Sequence, residues 1–292
     1  MLTSTAIAPA RPTLLDGNAL SQEVQSISFR FSDLLNNRRT FLAAAWTLRR
    51  RGIICLREAG PPELIASINR DVGELLEEIE SGDHGRLASL AYLNLPDHRV
   101  LKGYNQFRDA DRAVINYRVK RPDGRSGSDA GMIDIFHPER LSESLNSSIR
   151  ECLQESMIQQ LLLASSFNRL RVKCRNLYIN RGVQDTRSYH CDGRSMKFKS
   201  FVYLSDVQSL ADGPYCFVPK SQRRRRLWWR NARYNKRHGL GPFEFSQLQG
   251  AEAIALYAKA GDMVLSSQRG AHCGHPQHPQ ARRAVLVNMF QR

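Results

Sequence analysis

No run of apolar residues in this chain approaches the ~20 needed to cross a bilayer as a helix, so no membrane span is expected. The opening stretch "MLTSTAIAPARPTLL" has no charged region followed by a continuous apolar one, which argues against a secretory leader. Residues 1–36 read instead as a flexible N-terminal segment. Cysteine is sparse, and Cys55, Cys152, Cys174, Cys191, Cys216 and Cys273 show no C-x-x-C spacing. Neither a disulfide framework nor a structural zinc site fits that scatter, and a reducing cytoplasm is the expected location. Acidic residues are short as well, with 28 Asp and Glu against 43 Lys and Arg and a net charge of +15.

More than half of that excess lies in "QRRRRLWWRNARYNKRH", residues 222–238, where eight cations occur without an acid. A basic stretch interleaved with aromatics suits nucleic acid, an anionic small molecule, or a solvated helix face. The 292 residues can bury a full core, and one domain over 37–292 is the simplest division.

Periodicity places helices early. Asn37 to Arg51 reads as a helix with Leu42, Ala45, Trp46 and Leu48 near one stripe and Gly52 as its cap, followed by the short strand "IICL". Leu64, Ile65, Ile68, Val72, Leu75, Leu76 and Ile79 define a second helix between Pro61–Pro62 and Gly82. Residues 83–138 look irregular, with a strand candidate in "AVINYRVK" and a Gly- and Ser-rich loop in "RPDGRSGSDAG". A third helix is expected from about Glu139 to Leu163. From residue 171 onward short strands dominate: "RVKCRNLYIN", "TRSYH", "KFKSFVYL", "YCFVP", "GDMVLSS" and "RAVLVNMF". Helices first and strands last point to an α+β chain with a mainly β core, a jelly roll over about 171–292, with the early helices packed outside.

Within "SYHCDGRSMKFKSFVYLSDV", His190 and Asp192 are two residues apart, so in extended chain an imidazole and a carboxylate face one point. Two ligands rarely hold a catalytic ion. The best third is His272 in "GDMVLSSQRGAHCGHPQHPQARRAVLVNMF", just past a strand and turn; His275 and His278 stand close enough to complete or replace it. Two imidazoles and one carboxylate leave coordination positions open, as in non-haem Fe(II) oxygenases, whereas a closed zinc site needs four ligands. Cys191 and Cys273 adjoin these residues but should point away by alternation. Arg282 and Arg283 open the last strand, and a guanidinium there can clamp a carboxylate. Parity favours Arg282, because its face carries Ala284, Leu286 and Asn288, less bulky and partly polar and so better suited to a cavity than the Val285, Val287 and Met289 face of Arg283.

Taken in order, H-C-D, "KFKSFVYLSDVQSLADGPYCFVPKSQ", "GDMVLSSQRGAHCG" and the arginine of "RRAVLV" resemble the phytanoyl-CoA dioxygenase family of Fe(II)- and 2-oxoglutarate-dependent oxygenases. The resemblance spans about 171–292 and departs where "KSQ" replaces the usual G-S-H. It implies that His190, Asp192 and His272 bind Fe(II) and that Arg282 grips the distal carboxylate of 2-oxoglutarate. Phe201 is a weaker candidate for the cosubstrate pocket. Oxidative decarboxylation with O2 would yield succinate and CO2 and lead by default to hydroxylation of an unactivated C–H in a small molecule, an anionic one if the basic segment serves it. The alternatives are a nucleic-acid-binding protein or a nucleic-acid-acting oxygenase using residues 222–238, and a zinc-dependent hydrolase on the same triad. Neither substrate nor oligomeric state is legible.

Overall fold

The computed structural model describes residues 10–82, 84–121 and 127–292; residues 1–9, residue 83 and residues 122–126 lie outside the described residues, the last of these belonging to the Gly- and Ser-rich loop. From residue 10 the expected flexible segment is corrected. β1 (Thr13–Leu14), α1 (Gly17–Ser26), β2 (Ser28–Arg30) and α2 (Phe31–Asn36) follow in turn, and Ile27, Phe31 and Leu34 are buried. Both strands pair with partners distant in sequence, which a two- or three-residue pattern cannot announce.

α3 (Arg38–Arg51) begins where Asn37 Oδ1 accepts from the backbone N–H groups of Arg39 and Thr40, and ends at Gly52 with φ +83°. Its buried stripe is Phe41, Ala44, Ala45 and Leu48, an i, i+3, i+4, i+7 set. That set rotates Leu42 and Trp46 outward, 51% and 57% exposed, against the expectation that they belong to the stripe. β3 (Ile53–Arg57) and α4 (Pro62–Ser81) match their sequence signals, with Pro62 in the first turn and Gly82 as the left-handed cap.

Region 83–138 is more regular than expected. It holds α5 (Gly85–Leu90), β4 (Ala91–Asn94), α6 (Tyr104–Arg108), β5 (Ala113–Tyr117) and β6 (Ile133–Phe136). The expected helix over 139–163 is two, α7 (Glu143–Leu153) and α8 (Glu155–Ser166), broken at Gln154, whose φ is +49°. After it come β7 (Arg171–Arg181), β8 (Lys197–Tyr203), β9 (Tyr215–Phe217), α9 (Arg225–Arg237), β10 (Glu252–Leu256), β11 (Met263–Ser267), β12 (His272–Gly274) and β13 (Arg282–Gln291). "TRSYH" forms no strand; only His190 makes isolated bridges there.

Among the described residues the strands form two sheets, ordered β1-β10-β9-β12 and β2-β3-β11-β8-β13-β7-β6-β5-β4. The larger one therefore recruits β2–β6 from the first half of the chain, beyond the 171–292 core expected. Strand alternation sorts side chains into layers. Val264, Val285, Tyr203, Phe217 and Ile254 fill the space between the sheets. Leu265, Leu286 and Val202 face the other way, onto Leu48, Ile68, Ile149 and Leu161 of the helices. Outside the smaller sheet, Leu227 of α9 joins Cys216, Val218 and Ala253.

This layering makes a sharp contrast between two helical positions. Ile68→Ala removes a fully buried side chain from α4 and should cost about 2–5 kcal/mol in urea unfolding, whereas Leu42→Ala on the exposed flank of α3 should stay within about 0.5 kcal/mol. Equal losses would contradict the orientation of α3.

Candidate metal centre

His190 and His272 meet through the backbone. His190 N–H donates to the His272 carbonyl and His272 N–H to the His190 carbonyl, each at 2.9 Å, which sets the two imidazoles 4.5 Å apart between ring centroids. Asp192 N–H donates at 2.9 Å to the carbonyl of Gln268, just past the end of β11. Alternation then turns both His190 and Asp192 inward. Cys191 and Cys273 point the opposite way, into the apolar layer beneath α9, as expected.

The tautomers follow from the hydrogen bonds. His190 Nδ1 sits 2.8 Å from the Ser188 carbonyl and His272 Nδ1 3.0 Å from the Gly270 carbonyl. A carbonyl only accepts, so each Nδ1 carries the proton and each Nε2 presents its lone pair. Those nitrogens lie 3.7 and 3.8 Å from Asp192 Oδ1, and one donor atom from each residue falls within 4.8 Å of the others. Among the described residues no fourth metal-ligating side chain joins this group; His275 Nδ1 turns to the Pro276 carbonyl and His278 is exposed. Two neutral imidazoles and one carboxylate oxygen fit a divalent transition metal held on one side, with positions left for other ligands.

Charge at the site favours the same state. Burial, then His272 and Arg187, pushes the His190 pKa well below its ordinary value, and burial lowers that of His272. Both rings are therefore neutral without competition from protons. Burial opposes ionisation of Asp192, but Lys199, then His272 and His190, outweigh it and hold the carboxyl well below the usual carboxylate range. Lys199 Nζ lies 2.7 Å from Asp192 Oδ2.

The three residues open onto a cavity of about 480 Å³. β8 supplies Lys199, Phe201 and Tyr203 to its wall, and the Phe201 ring packs 4.9 Å from Tyr215. The arginine of β13 that enters is Arg283, which corrects the parity expectation for Arg282. Arg282 is exposed, donating to the carbonyls of Pro279 and Ala281. The reason lies in the layers: Ala284 and Leu286, on the face of Arg282, pack against the helices, while the bulkier Val285 and Val287 face the space between sheets. Arg283 donates to the Gly213 carbonyl, its Nε is buried without a partner, and burial lowers its pKa. Among the described residues it pairs with no carboxylate, whereas Arg118 pairs with Asp134 and Asp129 and Arg187 with Glu244. Asn180 stands directly opposite Arg283 in the β7–β13 register, also lining the cavity.

The basic segment takes no part in the cavity wall. Arg223–Arg226, Arg230, Arg233, Lys236 and Arg237 are exposed, as is Trp229 at 72%, while Trp228 packs edge-on to Phe245. Beside Leu227, the inner face of α9 carries two asparagines: Asn231 Oδ1 accepts from Gln247 N–H, and Asn235 Nδ2 donates to the carbonyls of Gly241 and Glu244.

No protein-family profile matches this sequence, and no curated protein sequence matches it. Solved structures do. The epimerase SnoN in complex with Fe3+, alpha ketoglutarate and nogalamycin RO superposes with a TM-score of 0.54 at 13% identity, covering 87% of this chain and 84% of that one. AviO1 from Streptomyces viridochromogenes Tue57 gives 0.54 at 15% identity over 86% and 94%. EctD from S. alaskensis with bound Fe gives 0.50 at 17% identity over 85% and 75%. The chain has the fold of these proteins. Sequence reasoning reached the three converging residues and Phe201, set Arg283 aside for Arg282, and did not single out Lys199 as a partner of Asp192 or Asn180 as part of the cavity wall. The alternation in "KFKSFVY" already put Lys199, Phe201 and Tyr203 on one face, while Arg283 needed the layer assignment of its whole strand.

If these three side chains are the ligand set, His190→Ala, Asp192→Ala and His272→Ala should each lose Co(II) affinity by more than the ~10–100-fold that loss of an outer hydrogen-bond partner costs, with thermal melts little changed. His275→Ala should bind Co(II) as the parent does. Retained affinity in His272→Ala, read by titration of the apoprotein, would contradict the assignment.

Proposed function

We propose that this chain is a non-haem Fe(II)- and 2-oxoglutarate-dependent oxygenase that hydroxylates an unactivated C–H bond of a small molecule, releasing succinate and CO2. The observation that carries the reading is the pairing, in one cavity, of the His190–Asp192–His272 cluster with Arg283, a cation lacking a carboxylate of its own. The fold shared with iron- and alpha-ketoglutarate-bound enzymes supports it. So does the resemblance of residues 171–292 to phytanoyl-CoA dioxygenases, and we take the two-sheet core as a double-stranded β-helix, the jelly roll of that family. A zinc hydrolase has no use for Arg283.

Bound Fe(II), with 2-oxoglutarate and O2, supplies the oxidising power to take hydrogen from a C–H bond. The chain supplies the rest. His190 and His272 present Nε2 because their Nδ1 protons are committed to carbonyls, and Asp192 presents Oδ1. Arg283 offers two parallel N–H groups to the distal carboxylate of the cosubstrate, with Asn180 opposite and Tyr203 lining the same cavity. Phe201 and Tyr215 wall the space and keep water from it. A cavity of about 480 Å³ suits a small molecule rather than a polymer. A cytoplasmic location for the protein is part of the same reading, its six cysteines all being free thiols. Hydroxylation is the outcome proposed; epimerisation or ring closure, named for SnoN and for the carbocyclase SnoK, would start from the same cofactor set.

Arg283→Lys keeps the charge but loses the two-pronged clamp, worth roughly 1.5–3 kcal/mol for hydrogen bonds to a charged group. The KM for 2-oxoglutarate, followed by succinate release, should rise ~10-fold or more, with iron content unchanged. Arg282→Lys should leave KM where it was. The reverse pattern, or turnover supported by zinc without 2-oxoglutarate, would overturn the reading.

A further inference from the structure

The two oxygens of the Asp192 carboxylate have different partners. Oδ1 faces the imidazoles, 3.7 Å from His190 Nε2 and 3.8 Å from His272 Nε2, while Oδ2 lies 2.7 Å from Lys199 Nζ. Neither group is free to drift. Asp192 is tied at its N–H to the Gln268 carbonyl, and its own carbonyl accepts from Lys197 Nζ at 3.2 Å. Lys199 belongs to β8, which is paired on both sides, with Ser266 of β11 and Met289 of β13 as its register partners, and its side chain is 14% exposed.

A carboxylate can give a metal one oxygen or both. Three protein ligands leave up to three positions, which a chelating cosubstrate and O2 need in full, and a second carboxylate oxygen competes for one of them. We infer that Lys199 is a positioning residue that occupies Oδ2 of Asp192, holds this carboxylate to one-oxygen ligation, and so keeps a metal position open for the keto-acid end of 2-oxoglutarate. The inference rests on the metal reading above and adds to it a residue that no ligand motif contains.

The test uses the full-length apoprotein with Co(II) alone and then with 2-oxoglutarate, comparing the parent with Lys199→Met and Lys199→Arg. In Lys199→Met the freed oxygen joins the metal. Co(II) affinity should therefore equal or exceed that of the parent, the visible spectrum with Co(II) alone should change, and the dissociation constant for 2-oxoglutarate should rise ~10-fold or more. Lys199→Arg, which still donates to Oδ2, should keep the parent's metal-alone spectrum. A metal-alone spectrum identical to the parent's in Lys199→Met overturns the inference, because a lysine acting directly on the cosubstrate would weaken 2-oxoglutarate and leave the metal untouched. Loss of Co(II) affinity in Lys199→Met also overturns it. Lys199→Leu, which likewise offers no donor to Oδ2, is read by the same criteria and keeps the test decisive if the methionine variant does not fold. A parent protein that takes up no Co(II) defeats the metal reading itself, a result distinct from both.

Discussion

The centre depends on one antiparallel bridge, the reciprocal pair of backbone hydrogen bonds between His190 and His272. It ties an otherwise irregular stretch to β12 and thereby joins residues 82 positions apart in sequence. Everything around the bridge stabilises it. Gln268 extends it to Asp192, and from the other side Phe245 N–H donates to the Tyr189 carbonyl while Cys191 N–H donates to that of Phe243. Residues 241–247 are held in turn by Asn231 and Asn235 of α9. The basic helix thus reaches the site through its uncharged inner face, and its cations remain in water.

Inside the cavity, electrostatics separates residues that complete the protein from those that await a ligand. Buried charges are costly when unpaired, and most here are paired: Lys199 with Asp192, Arg118 with Asp134 and Asp129, Arg187 with Glu244. Arg283 differs, since its recorded partner is the neutral carbonyl of Gly213 and its Nε has none. That condition supports the role proposed for Arg283, gripping a carboxylate that arrives with a ligand. The same reasoning explains why two histidines kept neutral by burial suit a metal better than a proton.

How much of this was legible in the sequence follows from how far each signal reaches. H-x-D at a strand mouth, and a histidine after a strand and turn, are local patterns whose meaning survives folding, so the cluster could be read. The helices with Pro and Gly at their ends were equally plain. The break at Gln154 was not, because neither Gly nor Pro marks it and a left-handed glutamine is set by tertiary packing. β1 and β2 were invisible for want of length. The choice between Arg282 and Arg283 failed on a physical assumption, that a ligand cavity prefers the less bulky face of a strand. In a sandwich with helices outside, both faces of β13 are buried and bulk does not tell them apart.

The proposed function requires iron and 2-oxoglutarate to meet on His190, Asp192 and His272. Anaerobic addition of Fe(II) and then 2-oxoglutarate to the apoprotein tests it most directly, because a 2-oxo acid chelated to ferrous iron gives a weak visible absorption band that neither component shows alone. The account predicts that the band forms with the parent protein, requires both components, and is lost in His272→Ala. A parent protein that binds Fe(II) yet shows no band at saturating 2-oxoglutarate would contradict it.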